Sequence, residues 1–533
     1  MSEDLESDAE YCRRKDIQDL SSVVGGAFNQ GVPGVESDTG DSEKEQVADS
    51  IEDFQPGSIH GNAVPSAAAQ AAALAPSSAG AGDVGGVPIQ KTPTRFFSPN
   101  LQGQRKKVFL KFVFTNVLLA VLCFTIFVLF WGALYDTEKY VHKVRLLAVI
   151  QESPVVALGN NSSLTAPSIS SALPTFIGEV PCHWDIYNAS TFQTKFHVSS
   201  TEEINDKVID LIYDEKYWFA INIKPDATET LFESLINGTA PAFNSTTFNQ
   251  VVYESGRDPT NLKSTILPFA QEIEQYYEAF YTLNYLPAFM TNITRMDDYS
   301  LTSNLTHITA AGRYTFDYYD HRPFTNRVVL APTQIGVVYC LLLTFFQFLL
   351  YGPLHAEMAK VLRPANGIIY RLAMSWSTFF FASLFFCTIS AIFQVDFTQA
   401  FGKGGFMVYW MSTWLFMLAA GGANENAVML VITLGPQFLG FWILSFVILN
   451  IAPSFFPLAL NNNVYRYGYM MPVHNIIDIY RVIFFDLSKN KMGRNYGILI
   501  ALIVLNTALL PFVSKYAGKK LRQKALAAQQ QGR

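Results

Sequence analysis

Seven asparagines stand in Asn-x-Ser/Thr triplets, the acceptor chemistry for N-linked glycan: Asn160, Asn161, Asn188, Asn237, Asn244, Asn292 and Asn304. All seven fall between an apolar run at 112–135 and a second that begins near Leu330. Clustering of this kind marks 136–328 as exposed to the glycosylation machinery, hence lumenal or extracellular. The apolar runs themselves are short of chemistry. They carry the amides Gln347, Gln437 and Asn506, which either hydrogen-bond between helices or touch a substrate. Gly435-Pro436 is placed to kink a span, as a gate or as a packing bend. Between 472 and 486, His474, Asn475, Asp478 and Arg481 fall on one helical face against an isoleucine-rich remainder. That pattern predicts an interfacial or re-entrant helix against the outer leaflet, either capping the bundle or gating a cavity. Asp478 and Arg481 are spaced i,i+3 and are expected to pair.

Catalytic and cofactor signatures are missing from this inventory. Gly402-Lys403-Gly404-Gly405 lacks the spacing and the Ser/Thr of a phosphate loop, and no nucleophile elbow or zinc-binding helix occurs. His183 beside Cys182 is a lone pair and reads as packing. The expectation is a non-enzyme with no cofactor, no metal and no nucleic-acid partner, and with no means of hydrolysing ATP. The spans are also expected to hold no Asp, Glu, Lys, Arg or His, which argues against a self-energised carrier.

The elements that position these residues follow from hydropathy. With 50% hydrophobic and 15% charged residues, unevenly spread over 533 positions, the chain reads as a polytopic α-helical membrane protein. Six spans are expected, near 112–135, 330–350, 372–393, 406–420, 427–449 and 496–514, with Gly421 to Asn426, including Glu425, as the turn between the fourth and fifth. Lysines and arginines flank the first span at 105–111 and follow the last at 515–524, which predicts cytosolic termini. Basic residues in the 451–495 loop run against this rule, because that loop should face outward.

The domain plan is therefore a disordered tail at 1–104, a signal-anchor helix at 105–135 and a glycosylated α/β domain at 136–328. A five-helix bundle at 329–516 and a basic tail at 517–533 complete it. The first tail is acidic, with fifteen Asp and Glu against four Lys and Arg in residues 1–54, then Ala/Ser/Gly-rich. Within the outer domain, strands are expected at 144–150, 217–223 and 250–254. Helices are expected after the capping box Ser200-x-x-Glu203, after Pro225-Asp226 and over 262–285. Of five cysteines only Cys182 lies in the outer domain, so a conventional core and not an internal disulfide must hold it.

The order of these pieces, with the stretches KYWFAINIKPDATE (216–229), GGANENAVML (421–430) and NNNVYRYGYMMPVHN (461–475), resembles the fungal nitrosoguanidine-resistance membrane proteins. More distantly, the plan is similar to ABC-2-type permeases. The resemblance implies a multipass protein, most naturally of the plasma membrane, linked to tolerance of toxic compounds. Two functions fit. One is export of hydrophobic drugs or lipids, powered by a separate ATPase or passive, through a cavity lined by Gln347, Glu425, Gln437 and Asn506. The other is a non-transporting organiser acting on membrane lipids or other membrane proteins, in which those polar groups are satisfied by neighbouring helices.

Overall fold

The computed structural model describes residues 102–158, 165–295 and 299–531. Nearly all of the expected disordered tail, and the acceptors Asn160 and Asn161, lie outside the described residues. The first helix, α1, runs Gln102–Leu134 with a π-helical turn at Cys123–Phe127. It touches the rest of the protein mainly near its end, where the Tyr465 hydroxyl donates to the Leu129 carbonyl at 2.7 Å.

Residues after α1 build a five-stranded mixed sheet in the order β4-β1-β5-β6-β7. Strand β1 (Arg145–Ile150) pairs in parallel with β4 (His183–Asn188) and β5 (Phe219–Ile223). Strand β6 (Asn249–Tyr253) is antiparallel to β5 and parallel to β7 (Asp317–Asp320), while β2 (Val155–Ala157) and β3 (Thr165–Pro167) form a separate ribbon. The sequence RLLAVI has no polar alternation because both faces of β1 are covered. Leu146, Ala148 and Ile150 enter one core, and Leu147 and Val149 the other. Helix α2 (Thr201–Tyr213) packs on the second face, and α3 (Ala227–Ile236) and α4 (Pro268–Phe280) on the first.

The three expected strands are all present. Besides the β2–β3 ribbon, the strands not expected are β4 and β7, the sheet edges, where HWDIYN and DYYD are interrupted by polar residues and so lack a continuous apolar run. At the cap of α2, Ser200 Oγ accepts from Glu203 N at 3.1 Å, but Glu203 Oε2 reaches Ser199 N at 2.6 Å and not Ser200.

The longer helices after the sheet unit are α5 (Gly336–Val361), α6 (Pro364–Ile392), α7 (Gly405–Leu434), α8 (Leu439–Ile451), α9 (Pro472–Phe485) and α10 (Met492–Gln531). Among the described residues, five helices are long and apolar enough to cross a membrane, and α8 belongs to a shorter apolar helix. Two expectations need correction. The turn at Gly421 to Asn426 does not exist, because α7 runs through it unbroken for 30 residues. The break falls instead at Gly435-Pro436, which joins α7 to α8 and does not kink the middle of a span. The expected basic tail is helical to Gln531, a continuation of α10.

The helix expected at the outer leaflet is also relocated. Eleven of the fourteen residues of α9 are buried, packed against α7 and α10 on one side and against the sheet unit on the other. Its half-buried His474, Asp478 and Arg481 face a cavity shared with the sheet unit.

Candidate functional site

Asn424, Glu425 and Asn426 are consecutive, so on a helix they point roughly 100° apart. Each therefore reaches a different neighbour of α7. Asn424 is fully buried; its Nδ2 donates to Thr344 Oγ1 on α5 at 3.0 Å, and its Oδ1 accepts from Trp442 Nε1 on α8 at 3.0 Å. Asn426 Nδ2 donates to the Asn506 carbonyl on α10 at 2.9 Å, and Asn506 Nδ2 donates back to the Ala419 carbonyl at 3.2 Å.

Glu425, 6% exposed, faces α6, where Arg371 Nη1 lies 3.7 Å from Oε1 and Ser375 Oγ donates to Oε2 at 3.4 Å. The membrane helices thus do hold an ion pair, contrary to the expectation that they hold none. Arg371, expected in a loop, lies in the second turn of α6. Small residues let the helices come this close. A Cβ on Gly421 would sit 2.4 Å from the Phe379 ring, and one on Gly422 would sit 2.9 Å from Asn506 Cβ.

Beside this cluster lies a cavity of about 20 Å³ lined by Ser375, Glu425, Asn426, Asn506 and Thr507, room for a single water. Of the four residues expected to line one path, Glu425 and Asn506 meet in this cavity and Gln347 and Gln437 lie elsewhere. Gln347 is buried on α5 with its Nε2 unpartnered, and it lies outside this cavity. Gln437 and Pro436 are exposed at the turn after α7.

His474, Asp478 and Arg481 form a separate group, on α9 at the seam with the sheet unit. They line a cavity of about 210 Å³ with Glu215, Trp218, Arg257, Asp258, Lys491 and Arg494. The expected Asp478–Arg481 pair is not made. Asp478 instead lies 3.8 Å from His474 and 4.0 Å from Arg494, while Arg481 reaches Asp258 at 4.0 Å. Lys491 pairs with Glu215, Asn490 donates to Asp214 at 3.0 Å, and Arg322 pairs with Asp486 at 3.0 Å. Arg257 stacks 3.9 Å over the Trp218 ring and donates to the Tyr217 carbonyl at 2.7 Å. Asn475 turns away, donating to the Tyr469 and Met471 carbonyls.

Two of the basic residues that ran against the charge rule in 451–495, Arg481 and Lys491, are therefore partners of acids on the sheet unit, while Lys489 and Arg494 pair with Asp486 and Asp478 nearby in the chain. Burial outweighs Asp478 and holds the His474 imidazole below its usual range. Nearby, Glu254 is 1% exposed with both carboxylate oxygens unpartnered, and burial pushes it up to about 7 despite Arg257 and Arg322.

Five of the seven Asn-x-Ser/Thr asparagines are among the described residues, all on the sheet unit. Asn188, Asn237, Asn244 and Asn292 are exposed and Asn304 is half-buried. Asn188 also caps the helix that follows it, through Oδ1 and Thr191 N at 2.9 Å. Sequence reasoning missed Arg371, Ser375, Glu254 and Arg257. Only Arg371 left a trace, as a lone cation directly before a long apolar run. Among the described residues, no group of three or more His, Cys, Asp or Glu is arranged to hold a metal ion.

Residues 115–508, from within α1 to within α10, match a family described as protein of unknown function (DUF3533). The chain is 72% identical over 527 residues to an uncharacterized endoplasmic reticulum membrane protein, YJR015W, of Saccharomyces cerevisiae, covering 99% of this chain and 97% of the relative. No solved structure matches.

Proposed function

Since this chain belongs to the DUF3533 family, we propose that it is a membrane organiser of the endoplasmic reticulum, one that holds lipids or other membrane proteins and does not itself carry solutes. The observation that carries this reading is the mutual commitment of the polar groups on α7. Asn424 and Asn426 are tied to α5, α8 and α10, and Asn506 of α10 is tied back to α7, leaving beside Glu425 a space of about 20 Å³. A solute path would need those groups free and a space tens of times larger.

The location follows the relative's printed name and replaces the plasma membrane expected from the resemblance. In this reading α8 counts as a crossing, both termini are cytosolic and the sheet unit faces the lumen with its acceptor asparagines. The protein is not an enzyme and needs no cofactor.

The export reading, with its likeness to ABC-2-type permeases and a partner ATPase, draws its support from the Arg371–Glu425 pair. Ionisable residues at membrane depth commonly mark ion or substrate paths. Sealed microsomes that carry the protein, lack it or carry Glu425→Gln separate the two, given ATP and a labelled hydrophobic compound. The organiser reading expects equal uptake in all three, with altered lipid or protein composition where the chain is missing. Uptake that needs the intact chain and falls with Glu425→Gln would overturn it.

A further inference from the structure

At the end of the bundle away from the sheet unit, a cleft of about 1210 Å³ opens between the end of α5, the start of α6 and the later turns of α10. Arg363, Arg371, Lys515, Lys519 and Arg522 line it, and no Asp or Glu does. Arg371 is engaged by Glu425, while among the described residues the other four cations make no ion pair.

Two polar side chains in the lining are also unsatisfied. His355 is 4% exposed with neither ring nitrogen hydrogen-bonded, and the Tyr370 hydroxyl is buried without a partner. Their rings meet with centroids 5.6 Å apart. Phe348, Ile368, Met429 and Ile432 make the rest of the inner wall apolar. Topological charge bias places Lys and Arg at helix ends, but it does not build a recess or leave buried polar groups facing one.

We infer that this cleft seats the headgroup of an anionic phospholipid from the adjoining leaflet. Its phosphate lies among Arg363, Lys515, Lys519 and Arg522, its polar headgroup oxygens meet His355 and Tyr370, and its acyl chains run along the apolar wall. A soluble phosphate would satisfy the cations but leave that wall uncovered. The inference stands whether or not the chain carries solutes.

The test uses the full chain purified in mild detergent, with co-purifying lipids measured by mass spectrometry. Melting is then followed in mixed micelles of phosphatidylserine, phosphatidylinositol or phosphatidylcholine, with inorganic phosphate and inositol hexakisphosphate as soluble arms. Anionic lipid is expected to be retained and to raise the melting temperature above the value in phosphatidylcholine. Lys519→Ala with Arg522→Ala, both exposed and so neutral for folding, should cut retention about tenfold or more. The charge-keeping Lys519→Arg with Arg522→Lys should preserve it, as should Lys106→Ala with Lys107→Ala at the start of α1. Undiminished retention in the neutralised variant would overturn the site, and so would an equal loss in the Lys106/Lys107 variant. Stabilisation by the soluble phosphates equal to that by lipid would overturn the assignment to a phospholipid.

Discussion

A carboxylate inside a membrane bundle is costly unless a cation and hydrogen bonds meet it, and Glu425 is met only loosely, by Arg371 at 3.7 Å and Ser375 at 3.4 Å. Removing one partner leaves the other uncompensated, whereas removing both leaves two apolar side chains. Arg371→Leu should therefore destabilise the protein by about 3 kcal/mol, and Arg371→Leu with Glu425→Leu by clearly less, read as melting temperatures in micelles. The single and double changes falling equally would show that the pair is not coupled.

Glu254 supplies a pH dependence. Its folded value of about 7 lies above the ordinary 4.5, so its favourable contribution is complete below about pH 4.5 and is lost as pH rises through 7. Between pH 5 and pH 8 the wild type should lose up to about 3 kcal/mol relative to Glu254→Gln, which keeps the shape without the charge. Parallel melting curves for the two proteins across that range would refute it. Neither site was legible beforehand. Arg371 and Glu425 are far apart in sequence, and a buried carboxylate at a strand end looks like any other acid.

Local order was far more readable where one physical rule acted alone. The continuous apolar run of β1 and the largely apolar β5 announce strands covered on both faces, and Ser200 announces the start of α2. Edge strands β4 and β7 mix acids with aromatics and do not. The Gly421-Gly422 pair misled because glycine breaks helices in water but permits close packing between helices in a bundle, where backbone groups must remain hydrogen-bonded. Its role is measurable. Gly421→Val must displace the Phe379 ring and should cost about 1–3 kcal/mol, while Gly440→Ala, with nothing within 4 Å of the added carbon, should be neutral or nearly so. Equal effects would mean that close contact between α6 and α7 is not what the glycine provides. Helix α9 shows the opposite failure. Its amphipathic sequence read as a membrane surface, yet the sheet unit covers its polar face with Glu215, Trp218 and Asp258.

At the scale of the whole molecule, the sheet unit and the bundle are joined through α9 by charged and hydrogen-bonded pairs, including Arg481 with Asp258 and Arg322 with Asp486. The span count from hydropathy included α8, which is too short to stand with the five long helices but returns along α7 through Trp442 and Asn424. What hydropathy could not convey is that Asn424, Glu425 and Asn426 of α7 each engage a neighbouring helix. Glu425 and Asn506 share one small cavity, His474, Asp478 and Arg481 lie at the seam, and Gln437 is at a turn. A closed interior of this kind is the central claim, and Ser375, 5% exposed beside Glu425, is the position that reports on it. The direct measurement is labelling of Ser375→Cys, in a chain whose five native cysteines are replaced, with membrane-impermeant thiol reagents applied from each side of sealed microsomes supplied with ATP and cytosol. The account predicts no labelling from either side. Labelling from both sides would contradict it and make the bundle an alternating path.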